Sequence, residues 1–122
     1  MVIQEAAEMY LETIYVLSKE LPKVRAVDIT RKMGFSKPTI SIQMRKFREN
    51  GYVTVNEDGG IVLTKRGLEI AERIYERHVV ISQILIKLGV DEPTAYQDAC
   101  RIEHYISDTT FQCMKRHFNE KG

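Results

Sequence analysis

The sequence predicts a mainly α protein in two parts: a small helical domain closed by one β-hairpin over residues 1–70, then a purely helical domain over residues 71–122. Three observations predict it. Apolar residues recur at helical spacing from the start, as in Tyr10, Ile14 and Leu17. Two β-rich runs around Glu57-Asp58-Gly59-Gly60 interrupt that pattern once. A long stretch then carries Ala71, Ile74, His78, Ile81, Leu85 and Leu88 at 3,4 spacing, the seam of a helix that packs on another helix.

The first helix is expected over residues 4–20, ended by Pro22. Its inward stripe is Tyr10, Ile14 and Leu17, and Met9 and Glu12 point away from it. Taken alone, Met9 reads as a flank of the core shared with Val16, since methionine is a common gap-filler. A second helix spans residues 26–33, with Gly34 terminating it and Phe35 anchoring the turn. Ser36 is a good N-cap, and Pro38 is tolerated in the first turn of a third helix running to about residue 50. Ile40, Met44 and Phe47 give that helix an inward stripe, and Gly51 caps it.

The outward face of the third helix carries Thr39, Gln43 and Lys46, flanked by Lys37, Ser41 and Arg45. Charge is concentrated here. Residues 23–50 hold eight Lys/Arg against Asp28 and Glu49, although the whole chain is only +1. The near-neutral total argues neither for nor against nucleic acid, whereas this local excess argues for it. A helix, a short glycine turn and a basic, amide-rich helix form a helix-turn-helix pattern. Glutamine reads adenine edges, Ser and Thr contact bases or phosphate, and Lys/Arg bind phosphate. The candidate DNA-contacting residues are Arg25, Ser36, Lys37, Pro38, Thr39, Ser41, Gln43 and Lys46. The competing reading is a solvated charged helix. The hairpin decides against it: strands over residues 52–56 and 61–63, turned at the glycines, form a wing directly after the third helix. Residues 4–70 therefore read as a winged helix-turn-helix domain.

Thr64 caps a long helix over residues 65 to about 88, ended by Gly89. His78 lies inside its apolar seam and reads either as a satisfied core side chain or as a ligand. After Asp91-Glu92-Pro93, a fifth helix is expected from about residue 94 to 107, with Asp108 capping a sixth that ends near Asn119. Within the fifth, Cys100-Arg101-Ile102-Glu103-His104 sets a thiol, a carboxylate and an imidazole at i, i+3 and i+4. A helix would project all three from one face, with Ile102, Tyr105 and Ile106 roughly opposite for burial. Such donors suit a divalent transition metal. The apolar residues Ile81, Ile84, Leu88, Ile102 and Ile106 exceed what so small a domain needs and predict a two-helix homodimer interface.

Other classes find less support. There is no secretory signal and no apolar run long enough to span a bilayer. Two cysteines, Cys100 and Cys113, are too few for a disulfide scaffold, so a reducing cytoplasm is the expected compartment. No glycine-rich phosphate loop or nucleophile elbow points to an enzyme. Two rivals to metal-gated DNA binding are a redox regulator, with Cys100 activated by Arg101 and His104, and a small metal enzyme using His78, Glu103 and His104.

The stretch Glu8-Met9-Tyr10-Leu11-Glu12-Thr13-Ile14-Tyr15, the wing ending in Leu63-Thr64, Arg77-His78, and Asp98-Ala99-Cys100-Arg101-Ile102-Glu103-His104 together resemble the diphtheria toxin repressor family. These are metal-dependent transcriptional repressors, and the manganese transport regulators are their short branch. The resemblance implies a winged-helix domain followed by a helical metal-binding and dimerisation domain, in a form without the SH3-like domain of many iron-branch members. Met9, Cys100, Glu103 and His104 match the principal metal site of the iron branch, and Glu12 and His78 match ligand positions of the manganese branch. The manganese branch has Asp where this chain has Met9, and Glu where it has Cys100. Ser82 and Tyr96 stand where the iron branch's ancillary site needs Glu and His.

A thioether and a thiolate in place of two carboxylates soften the site, which favours Fe(II) over Mn(II), with Co(II), Ni(II) and Zn(II) also acceptable. The expected partners are a palindromic double-stranded operator and a second copy of the chain, with no membrane and no small-molecule substrate.

Overall fold

The computed structural model describes residues 5–121, with side chains from 6 to 120. Gln4, expected in the first helix, lies outside them. Among the described residues the elements are α1 (Glu5–Glu20), α2 (Ala26–Met33), α3 (Lys37–Glu49), β1 (Val53–Val55), β2 (Ile61–Leu63), α4 (Lys65–Lys87), α5 (Glu92–Ile102) and α6 (Asp108–Lys121). They form two compact units, residues 1–72 and 73–122, divided within α4. Among the described residues, no helix is long and apolar enough to cross a membrane.

The first unit is a winged helix. Tyr10, Leu11, Ile14 and Leu17 of α1 pack with Ile29 of α2, Ile40, Met44 and Phe47 of α3, and Tyr52, Val53 and Ile61 of the hairpin. Phe47 sits at the centre, edge-on to Tyr10 at 6.0 Å and to Tyr52 at 6.1 Å. Each such side chain, fully buried, contributes roughly 1.5–3 kcal/mol.

Local chemistry fixes the turns. Gly34 adopts φ 79°, and its N–H donates to the Thr30 carbonyl. Ser36 then caps α3 by accepting from the Thr39 N–H, with Pro38 inside the first turn. At the other end of α3, Gly51 at φ 78° lets its own N–H reach Arg48 O at 3.2 Å and the Tyr52 N–H reach Phe47 O at 2.8 Å. This closure shortens β1 relative to expectation. The Tyr52 N–H donates to a helix carbonyl, although its own carbonyl still accepts from the Thr64 N–H at 3.0 Å, and the Asn56 N–H closes the turn on Gly60 O at 2.8 Å. The strands pair antiparallel in the register Val53↔Leu63, Thr54↔Val62, Val55↔Ile61. Thr64 caps α4 by accepting from the Gly67 N–H and ties it to the wing by donating to Gly51 O at 2.6 Å.

The second unit differs from expectation at α5. The helix begins at Glu92, because Asp91 is already its N-cap and Pro93 fits inside the first turn. It ends at Ile102 rather than at residue 107. The reason is Arg77 of α4, whose Nη1 donates to the carbonyls of Glu103 at 3.1 Å and Ile106 at 2.9 Å. A cation at a helix C-terminus satisfies carbonyls that another helical turn would otherwise have to satisfy.

Ser107, not Asp108, then caps α6 by accepting from the Thr110 N–H, and α6 extends past Asn119 to Lys121. The buried face of α5 is Ala95, Ala99 and then Glu103, whereas Tyr105, expected to be buried, is 73% exposed. Ile81 is wholly buried rather than a surplus surface residue, while Leu88 is 75% exposed. Ile84, Ile102 and Ile106 are half-buried.

Candidate metal centre and nucleic-acid interface

Two elements of the second unit build the candidate metal centre. From α4, His78 turns Nδ1 toward the end of α5. Cys100 Sγ stands 3.7 Å from that nitrogen and Glu103 Oε2 stands 3.1 Å from it. One donor atom from each of the three lies within 4.8 Å of the others. His104 joins them, its Nε2 3.4 Å from Glu103 Oε1 and its side chain fully buried. The expected single helical face therefore arises differently. Cys100 is in the last turn of α5, while Glu103 and His104 are in the turn that follows it.

Burial and charge give this cluster its chemistry. Glu103 is 0% exposed, and an unpaired carboxylate there would carry a large desolvation cost. Its Oε2 is held by His78, while its Oε1 accepts no hydrogen bond among the described residues. His78 is correspondingly basic. Its hydrogen bonds to Cys100 and then Glu103 outweigh its partial burial and push its pKa up to about 10.

The residues fit a divalent transition ion on two counts: a buried carboxylate oxygen lacks a donor, and thiol, imidazole and carboxylate converge. Calcium and magnesium prefer oxygen donors throughout. Met9 and Glu12 lie on α1 of the first unit, Met9 38% exposed and Glu12 half-buried.

Two neighbours escaped sequence reasoning as parts of the site. Arg77 precedes His78 and brackets the turn that carries Glu103 and His104, with its guanidinium 5.4 Å over the Phe111 ring and 3.7 Å from Asp108. Its place immediately before a candidate ligand was the only signal. Tyr96, notable in the sequence only as a non-donor, stacks on His78 with ring centroids 6.2 Å apart and planes at 29°. Ser82, its counterpart in that respect, is buried on α4.

In the first unit, Lys37, Pro38, Thr39, Ser41 and Lys46 are exposed on α3, with Gln43 half-buried among them. Ser36 is exposed but engaged, capping α3 and sharing a 2.9 Å hydrogen bond with the Thr39 hydroxyl. Arg25 is exposed at the N-cap of α2, where Asp28 accepts from its backbone N–H. The strip thus offers a helix N-terminus, cations and one amide, the donor set that phosphates and base edges accept. A separate cleft of about 280 Å³, between the end of α1 and β2, contains one charged side chain, Lys23, which is paired with Asp58.

Comparison with known proteins follows the same division. Residues 3–61 match the iron dependent repressor N-terminal DNA binding domain, and residues 64–120 match the iron dependent repressor metal binding and dimerisation domain. An uncharacterised HTH-type transcriptional regulator of Methanocaldococcus jannaschii is 31% identical over 115 residues, covering 93% of this chain and 92% of that protein. The transcriptional regulator MntR of Escherichia coli is 30% identical, covering 98% of this chain and 77% of the relative. The solved manganese regulator SloR superposes with a TM-score of 0.81 at 28% identity over 98% of this chain. The chain spans 55% of the length of that solved protein.

Proposed function

The chain belongs to the iron-dependent repressor family, and on that premise we propose that it is a metal-responsive transcriptional repressor that binds operator DNA as a homodimer. The observation that carries the metal half is the convergence of His78, Cys100 and Glu103 donors within 4.8 Å. The exposed strip of α3 supports the DNA half.

Each residue has a task. Glu103 contributes a fixed negative charge in a dry setting, where ion pairing is strongest. His78 presents Nδ1 once its proton leaves, and Cys100 presents sulfur as thiolate. His104 adds a second imidazole against Glu103. Met9 and Glu12 complete the set in this proposal, on the strength of their match to family ligand positions. A divalent ion held by such donors would supply directional bonds to them.

With the ion bound, the α3 helices of a dimer would be held near the one-turn spacing of DNA, about 34 Å, and would meet successive major grooves of a palindrome. Without the ion few arrangements would be competent, and affinity would fall by the competent fraction.

Fe(II) is the proposed ion because Cys100 and Met9 soften the site relative to an all-oxygen and imidazole set. A second reading, Mn(II), is favoured by one observation: the solved neighbour SloR is a manganese regulator. The proposed role is binding rather than catalysis, in keeping with relatives that are transcriptional regulators. The test is DNA affinity of metal-stripped protein against protein with each ion restored.

A further inference from the structure

We propose that Tyr96 is a positioning residue for His78, fixing the plane of the imidazole whose Nδ1 faces Cys100 and Glu103. The inference rests on the metal-site reading above and extends it to a side chain that contributes no donor.

The torsion that rotates an imidazole is broad, so the ring plane swings at little intrinsic cost. Something must fix that plane. In the metal-free site three contacts do so: those of Nδ1 with Glu103 Oε2 at 3.1 Å and Cys100 Sγ at 3.7 Å, and the stack on Tyr96 at 6.2 Å and 29°. The first two cannot persist as hydrogen bonds to an Nδ1 proton once Nδ1 gives its lone pair to an ion, since a nitrogen that ligates no longer carries a proton to donate. The stack uses the ring face and survives loading.

Placement supports the same role. Tyr96 lies four residues before Cys100 on α5, so the ring that stacks and the sulfur that faces Nδ1 stand one helical turn apart on the same side of the helix. The His78 side chain remains 23% exposed, and Tyr96, itself 43% exposed, lies against one face of its ring. An aromatic ring at this place commits His78 to the cluster with Cys100 and Glu103. Among the described residues that cluster is the one group of three or more His, Cys, Asp and Glu donors close enough to hold a metal.

The experiment is an anaerobic titration of the full chain with Co(II) alone, following the sulfur-to-cobalt charge-transfer and ligand-field bands. Parent, Tyr96→Ala, Tyr96→Phe and His78→Ala are compared, with the metal-free melting temperature of each. Tyr96→Ala is expected to bind Co(II) about tenfold more weakly or worse, with shifted ligand-field bands and a melting temperature near the parent's. Tyr96→Phe, which keeps the stack, is expected to restore both affinity and spectrum. Parent-like binding by Tyr96→Ala would overturn the inference, as would a Tyr96→Phe protein that behaves like Tyr96→Ala. Parent-like binding by His78→Ala would overturn the metal-site reading itself, and this inference with it.

Discussion

His78 Nδ1 stands 3.1 Å from Glu103 Oε2, and the Glu103 side chain is wholly buried. Two consecutive residues of α4 therefore hold one residue beyond α5 in two ways: Arg77 takes its carbonyl and His78 takes its carboxylate. A buried carboxylate is tolerable only when paired. With two carboxylate oxygens against few donors, the arrangement is stable as a protonated pair and better satisfied by a cation.

The contacts of His78 with Cys100 and then Glu103 give the metal-free protein a definite pH dependence. The His78 pKa is raised to about 10 in the folded state, against about 6.5 when unfolded. Between those values the folded state binds the extra proton. The contribution of these contacts is thus fully present below about pH 6.5 and is lost as pH rises toward 10. Urea unfolding of metal-free protein should show stability falling with pH across that window, and His78→Gln should flatten the slope. An unchanged slope in His78→Gln would contradict the assignment.

Arg77→Met should destabilise the second unit. The change keeps most of the stem's packing but leaves the Glu103 and Ile106 carbonyls without their charged donor. Hydrogen bonds to charged groups contribute roughly 1.5–3 kcal/mol, so a loss of about 3 kcal/mol is expected in chemical denaturation. A loss below about 0.5 kcal/mol, the scale of an ordinary surface change, would mean that the bracket is incidental.

Gly67→Ala tests the seat of the wing on α4. A Cβ at this position would meet the Tyr52 carbonyl oxygen at 2.1 Å, a backbone atom that cannot swing away. The wing or the first turn of α4 must shift, at a cost of about 1–3 kcal/mol in a urea titration. A variant as stable as the parent would show that this junction is loose.

On the DNA side, Gln43→Ala should relax sequence preference, since one amide on the α3 strip is removed. Lys46→Ala should instead weaken binding to all sequences and lower the salt slope by about one. Competition of selected against random DNA separates the two. Equal losses on both DNAs from Gln43→Ala would place the reading residue elsewhere.

How much of this was legible in the sequence follows from how local each determinant is. Gly34, Ser36, Pro38 and Gly51 act on their own neighbours, and the helix-turn-helix was readable from them. The end of α5 was not, because its determinant is Arg77, 26 residues from Glu103. The period of Ile102, Tyr105 and Ile106 continued past the point where tertiary contacts stop the helix. The burial of Glu103 was hidden for a similar reason: a carboxylate goes inside only when partners from another element meet it. The choice of Ser107 over Asp108 as cap followed from that shifted boundary. Gly67 carried no sequence signal distinguishing a helix glycine from an obligatory one. The donor types, by contrast, were readable outright, and His78, Cys100, Glu103 and His104 do meet.

The measurement that bears most directly on metal-gated repression is an anaerobic DNA-binding titration of metal-stripped protein, on DNA selected from a random pool, with Fe(II), Mn(II), Co(II) or Zn(II) restored singly. It is repeated for Cys100→Ser. The account predicts weak binding without metal, activation by Fe(II) at lower concentration than by Mn(II), and loss of that difference in Cys100→Ser. DNA affinity that is the same with and without Fe(II) would contradict it.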